Sequence, residues 1–395
     1  MIVDLHAHFP MHLLEPKRAN THAAVVAPWK GSPWRGWLLD ILSRMFNYEG
    51  PGGAPAVTVE LLREGEVGAV LSVLFEPFDE MDLSEPYGAP PKPVYFKNLE
   101  GQMDRVEAAL EREHELGRAR LVRNPSDMDA AMAAGEVAFI HCIEGAFAIG
   151  ASEAEMTSNV ATLAQRGVAY VSLAHLFYRG VAQNAPALPF VPDWLYKVAF
   201  PQKGDAGLTP LGEAALRAMV EHRVLVDITH MNQKAIDHAF KLLDADTPVI
   251  ASHIACRVGS AEYNLNDDTI REVARRGGVM GVIVCEHWAC DGPPPTPKTF
   301  AESVDVVCTH IDRIVSVTGS DDHVAIGSDL DGYIKPALHH LEHEGRMKEL
   351  EAALVARYGA ARAAKFCADN LLALLRSYWR GDGGGSDQSP SRSRQ

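Results

Sequence analysis

The chain has 395 residues, 47% of them apolar, and a formal net charge of −15. That is ample material for one large core with insertions, and an acidic surface disfavours nucleic acid and anionic membrane as partners. The six cysteines (Cys142, Cys256, Cys285, Cys290, Cys308, Cys367) form no CxxC pair, so reduced, mostly buried thiols are expected. No apolar run reaches membrane-spanning length, and the chain opens on a strand-like run rather than a charged and apolar leader. The expectation is a cytoplasmic protein.

IVDLHAH, ending in His6 and His8, reads as a first strand because it is short, apolar and rich in Val and Ile. Residues 9–56 follow as a long irregular insertion with Trp29, Trp34, Trp37 and the breaker run EGPGGAP. VTVELLREGE is helix-like, GAVLSVLF at 68–75 is a strand, and 77–93 is Pro-rich. The charge spacing and periodicity of 98–117 predict a helix. VAFIHCIEG brings a third strand to Glu144, followed by a helix over 153–166. VAYVSLAH, RVLVDITH and TPVIASH are the fourth to sixth strands, ending in His175, His230 and His253, with helices near 209–222, 232–243 and 266–276. GVMGVIV at 278–284, a helix near 299–318 and HVAIGSDLDG complete the alternation, and two helical segments, 342–358 and 360–379, close the chain. The Gly/Ser-rich tail, 381–395, is expected to be disordered, leaving 1–380 as one domain.

Strands alternating with helices imply a parallel sheet with right-handed crossovers, and eight of them suggest a closed (β/α)8 TIM barrel with an N-terminal loop insertion and C-terminal helices. The alternative, a doubly wound open sheet, normally carries a Gly-rich phosphate loop after its first strand, and HAHFPMHLL is no such loop.

Six strand-like runs end in His, Glu or Asp, and strand ends are where a parallel sheet presents its chemistry. This points to one metal site assembled from distant segments. His6 and His8 are two apart, so both leave one face of a strand and suit chelation of Zn2+ or a related divalent ion. Glu144 leaves an apolar strand and must be paired or metal-bound. Its two oxygens could bridge two metals, the plain alternative being an ion pair with an arginine such as Arg166. His141, off the strand end, reads as structural. The face carrying Val224, Val226 and Ile228 also carries His230, which is expected to continue the row that fills the barrel. His230 and His253 suit a second metal. Asp329 or Asp331 could ligate a metal and take a proton from water. His175 is either a ligand or a donor to a developing oxyanion. His12 and His22 read as surface or substrate-loop residues, and HHLEHE at 339–344 as the solvated face of a helix.

The motifs IHCIEGAFAIG, YVSLAH, LTPLGEAALRAMVEHRVLVDITHMN, PVIASH, NLNDDTIREVARRGG, AIGSDLDG and CADNLL, in this order, resemble the renal (membrane) dipeptidase family of the amidohydrolase superfamily. The resemblance is patchy before residue 137 and strong from there to about 375. It implies a (β/α)8 barrel with two zinc ions: Glu144 bridging, His230 and His253 on one ion, His6 and His8 with Glu144 on the other. It implies Asp329, in preference to Asp331, beside the bridging water and His175 polarising the substrate. Two features depart from the family. His6-Ala7-His8 stands where His-x-Asp is usual, and Tyr263 stands where an arginine grips the substrate carboxylate. Arg257, six residues earlier, is the candidate substitute, so His175, Arg257 and Tyr263 are the expected substrate-binding residues. The resulting expectation is a binuclear zinc metallopeptidase, other divalent metals being compatible, that cleaves the amide of a dipeptide or dipeptide-like small molecule through a metal-bridged hydroxide. A homodimer is compatible with the chain. The alternatives are a hydrolase of another small amide or lactone, or a non-catalytic metal-binding barrel.

Overall fold

In the computed structural model, which describes residues 1–13 and 55–379 apart from 81, 83, 189–190, 203, 205–206, 293–294 and 333–335, parallel strand pairing closes the sheet on itself. The strands are β1 (Ile2–Ala7), β2 (Val67–Leu74), β3 (Ala119–Leu121), β4 (Val137–Glu144), β5 (Tyr170–Ser172), β6 (Leu225–Asp227), β7 (Val249–Ile254), β8 (Met280–Val282) and β9 (Val324–Ile326). β2 pairs with both β1 and β4, pairing then runs in order from β4 to β9, and β9 returns to β1. The result is the expected eight-stranded (β/α)8 barrel. The short β3, which its three residues leave invisible to a pattern search, pairs with the first residues of β4. Most of the 9–56 insertion, with His22 and the three tryptophans, lies outside the described residues, as do the His12 side chain and the 381–395 tail.

The principal helices are α1 (Val59–Glu64), α2 (Pro93–Glu115), α3 (Pro125–Ala133), α4 (Glu153–Gln165), α5 (Pro210–His222), α6 (Gln233–Leu242), α7 (Asp267–Arg275), α8 (Phe300–Thr318), α9 (Met347–Tyr358) and α10 (Asn370–Tyr378). Their starts are written into the sequence. Thr58, Asn124, Ser152, Thr209, Asn232, Asn266 and Thr299 each accept a hydrogen bond from a first-turn backbone N–H. Thr299 and Glu302 form a complete capping box. No described helix is long and apolar enough to cross a membrane, and all six cysteines are unpaired.

Two apolar layers result. Val3, Leu5, Leu71, Ile140, Cys142, Leu225 and Ile250 fill the barrel. Alternate residues, among them Val70, Phe139, Val226 and Val249, pack outward against the helices. The interior layer continues into Met128 of α3 and into Leu371, Leu375 and Trp379, which plug the end where the strands begin. Arg223, just before β6, donates to the carbonyls of Ser377 and Tyr378, and Asn370 donates to that of Val324.

Two sequence expectations fail. Val224, Val226 and Ile228 belong to the outer layer, so the row that fills the barrel is the other one, Leu225 and Asp227. HHLEHE is not a solvated helix face. Its Leu341 and Glu344 are fully buried, His340 pairs with Glu349, and a 3-10 turn begins at Glu344.

Candidate metal centre

Glu144 reaches the barrel interior by plain alternation from Ile140 and Cys142. The histidines do not. In β1 the pairing slips between Asp4, opposite Val70, and Ala7, opposite Ser72, so three steps face two. This bulge turns His6 inward beside Leu5. β7 slips in the same way between Ala251 and Ile254, which turns His253 inward beside Ser252. Room for that bulge comes from glycine: a Cβ on Gly281 or Gly327 would lie 2.0 or 1.9 Å from the Ser252 carbonyl oxygen. His230 and Asp329 arrive by a third device, left-handed backbone with φ of 67° and 58°, a conformation that non-glycine residues adopt at a cost and that concentrates at functional sites.

These devices bring seven side chains together. Glu144 Oε1 lies 3.2 Å from His230 Nε2 and 3.5 Å from the Nε2 atoms of His6 and His253. Its Oε2 lies 3.2 Å from His175 Nε2 and 3.4 Å from His8 Nε2. The Nε2 atoms of His6 and His8 are 3.1 Å apart, and those of His230 and His253 are 3.0 Å apart. Asp329 Oδ1 is 3.1 Å from His8 Nε2 and 3.6 Å from His6 Nε2. Three overlapping sets have metal-binding geometry: His6, Glu144 and His253; His6, His8 and Asp329; Glu144, His175 and His230.

Behind these atoms a second set of bonds fixes three of the rings, those of His6, His253 and His175, by Nδ1, leaving Nε2 for the centre. Tyr170 Oη is 2.7 Å from His6 Nδ1 and donates to the Leu5 carbonyl. Ser252 Oγ is 2.9 Å from His253 Nδ1 and donates to Asp227, which also takes hydrogen bonds from Ser172 and Thr229. Glu80 Oε2 is 2.8 Å from His175 Nδ1. Burial, reinforced by neighbouring imidazoles, pushes the pKa of His6 and His253 well below the ordinary value, keeping both in the neutral form that binds metal. Burial pushes His175 the same way, but the charges of Glu144 and Glu80 outweigh it and raise the ring to about 9. For Glu144 burial acts upward, yet the surrounding imidazoles, His175 and His6 foremost, hold the carboxylate well below its usual range.

The donor set fits a metal on one observation. Among the described residues, neither oxygen of the buried Glu144 carboxylate receives a hydrogen bond. A buried carboxylate without hydrogen-bond donors, ringed by imidazole nitrogens, is a donor set suited to cations between them.

Known proteins agree. The family model for membrane dipeptidases, peptidase family M19, matches residues 1–378. The chain belongs to this family. As an M19 member it is a metal-dependent, dipeptidase-like hydrolase. A Klebsiella pneumoniae protein, described as uncharacterized and in the pqqA 5' region, is 28% identical over 228 residues, 56% of this chain and 76% of that protein. Two solved structures share the fold. One is dipeptidase AC, an M19 metallopeptidase (TM-score 0.71, 20% identity, 96% of this chain and 98% of that one). The other is a Rhodobacter sphaeroides metallopeptidase liganded with a phosphinate mimic of the dipeptide L-Ala-D-Ala (TM-score 0.69, 20% identity, 96% and 99%).

Asp331 accepts hydrogen bonds from the backbone of Ala56 (2.9 Å) and Val57 (2.7 Å), holding the segment that returns from the insertion. Arg166 pairs with Asp104 and Glu107, not with Glu144, and His141 faces Glu107, on the helix side of the barrel. Tyr263 is buried, 5.1 Å from the His230 ring and stacked on Trp288, and its hydroxyl donates to the His253 carbonyl. Arg257 gives Nε to the Asn264 carbonyl and Nη2 to that of Glu262, pinning its own loop. Sequence reasoning missed Glu80, Tyr170, Asp227 and Ser252. A charge inside the apolar run RVLVDITH was a readable signal for Asp227; Glu80, in a Pro-rich stretch, carried none.

Proposed function

We propose that this M19 protein is a two-metal hydrolase, with zinc as its metal, that cleaves the amide bond of a dipeptide or a dipeptide-like small molecule. The observation that carries this reading is Glu144, a buried carboxylate without a hydrogen-bond donor whose oxygens lie within 3.5 Å of five imidazole nitrogens. Nitrogen and carboxylate donors suit zinc. His6, His8 and Glu144 would hold one ion; Glu144, His230 and His253 would hold the other. When bound, the metals supply Lewis-acid polarisation of the carbonyl and acidify water at neutral pH.

The chain's own groups do the rest. Asp329, whose pKa burial raises, accepts a proton from the attacking water and delivers it to the leaving nitrogen as the C–N bond breaks. Asp329 is preferred to Asp331 for this role because Asp331 accepts hydrogen bonds from two backbone amides, those of Ala56 and Val57. His175 directs Nε2 into the centre, and a proton there donates to the carbonyl oxygen as negative charge develops on it. The water oxygen ends in the new carboxylate, and the amine leaves protonated.

The mimic bound to the Rhodobacter relative makes L-D dipeptides the natural first substrates, with L-L dipeptides beside them. A second reading, a small amide or lactone without a free carboxylate, is favoured by the Tyr263 hydroxyl and the Arg257 Nε and Nη2, which donate to backbone carbonyls. The test is turnover of a panel of L-L and L-D dipeptides, amino-acid amides and lactones by metal-stripped and zinc-reloaded protein. Zinc-dependent cleavage of an amide supports the proposal; no cleavage of any member after reloading overturns it.

A further inference from the structure

We infer that Glu80 is a positioning residue for the hydrolysis, holding His175 by Nδ1 so that Nε2 is aimed at the Glu144 centre. Glu80 ends the short helical turn Pro77–Glu80 that follows β2, whereas His175 lies beyond β5. In the barrel β4 separates these two strands, so Glu80 reaches across the end of β4, where Glu144 stands. Both of its oxygens are used on the far loop. Oε2 lies 2.8 Å from His175 Nδ1, and Oε1 accepts from the Phe177 backbone N–H at 2.8 Å. Glu80 and His175 are both buried, so water does not compete for either bond.

Two donors, a ring N–H and a backbone N–H, demand two acceptors from one side chain. A carboxylate offers them; a carboxamide of the same shape offers one acceptor and brings a donor of its own. The backbone bond fixes the carboxylate, and the carboxylate fixes the imidazole. Phe75, 4.4 Å away edge to face, and His230, 4.7 Å away, limit the ring from two sides. The nitrogen left over is Nε2, 3.2 Å from Glu144. No spacing in the sequence links Glu80 to the centre; the link exists only in the fold.

This inference rests on the hydrolase reading for its kinetic arm but not for its spectroscopic one. The experiment compares wild type, Glu80→Gln, Glu80→Asp, His175→Asn and the Glu80→Gln/His175→Asn double variant. Readouts are metal content, thermal stability, kcat, KM and the low-field proton NMR signal of an imidazole N–H bonded to a carboxylate. Wild type is expected to show that proton, and His175→Asn and Glu80→Gln to lose it with metal content unchanged. In Glu80→Gln kcat falls by roughly 10–100-fold with KM nearly constant, the usual scale for an outer-shell partner. Glu80→Asp, which keeps two acceptors on a shorter arm, recovers part of the rate. On the His175→Asn background Glu80→Gln costs nothing further, because both changes remove one interaction. A proton that persists in Glu80→Gln, or a Glu80→Gln loss that multiplies fully with His175→Asn, overturns the inference. Should the protein turn over none of the substrates tested, the NMR signal still decides whether Glu80 holds His175.

Discussion

Where the strands begin, Leu71, Ile140 and Leu225 alternate with outward residues without interruption and rest on Leu371, Leu375 and Trp379. Where they end, pairing slips in β7 and in β1 (which also slips once at its start, between Ile2 and Val3), and His230 and Asp329 turn through left-handed backbone. The regular end serves packing. The irregular end departs from regularity at the positions that aim His6, His253, His230 and Asp329 at one point. Left-handed conformations alone cost about 1–2 kcal/mol per residue, so the ordered floor supplies the stability that the rim consumes. Stability and activity should therefore respond separately to substitutions at the two ends.

The largest separation is expected from Asp329→Asn. The amide keeps the shape and one oxygen but cannot accept a proton. Turnover should fall by roughly 10²–10⁴-fold while metal content and melting temperature stay near wild type, as measured by steady-state kinetics, elemental analysis and calorimetry. If Asp331→Asn is the inactive variant and Asp329→Asn is not, the two aspartates have been assigned in reverse. The mirror case at the floor is Leu375→Ala. Removing this fully buried side chain should destabilise by about 2–5 kcal/mol in denaturant melts, with kcat per folded molecule and metal content unchanged. A comparable loss of kcat would mean that floor and rim are not separable.

A smaller effect tests the rim at Tyr263, where the family resemblance implies an arginine. With Tyr263 in place of the expected arginine, cleavage of dipeptides with a free C-terminal carboxylate should trail that of the corresponding amides. The deficit in kcat/KM should be roughly 10–100-fold, the worth of one charge-assisted pair. Efficient dipeptide cleavage that survives Arg257→Ala would show that the carboxylate is held by another group or not at all. The smallest effect is that of Asp331→Asn, which weakens the hydrogen bonds accepted from Ala56 and Val57. It should lower stability by about 1–3 kcal/mol and leave the rate of folded enzyme intact.

The same contrast explains what the sequence disclosed. Val- and Ile-rich runs at a steady spacing announced the barrel, because residues such as Leu71, Ile140 and Leu225 alternate regularly with outward ones. Glu144 was legible for that reason. His6, His8, His230 and His253 were legible as residue types at strand ends, but how they reach the centre was not. Strict alternation from Val226 and Ile228 would have turned His230 outward, and only the backbone at Thr229–His230 corrects this. Bulges leave no mark in a sequence that can be read without the pairing partner. Glu80, Tyr170 and Ser252 were invisible because their roles depend on contacts between strands that are distant in the chain. HHLEHE misled for the opposite reason: its polar composition hides Glu344, buried against Ser328 under the barrel wall.

In the proposed enzyme the buried, donorless carboxylate of Glu144 is shared by two metal ions. Elemental analysis of protein purified without chelator or added metal, before and after zinc loading, tests it most directly, with Glu144→Gln as the comparison. Two ions per wild-type chain, and a marked loss of both in Glu144→Gln, are predicted. A wild-type content at or below one ion that zinc loading does not raise, or a Glu144→Gln variant that keeps two, would contradict it.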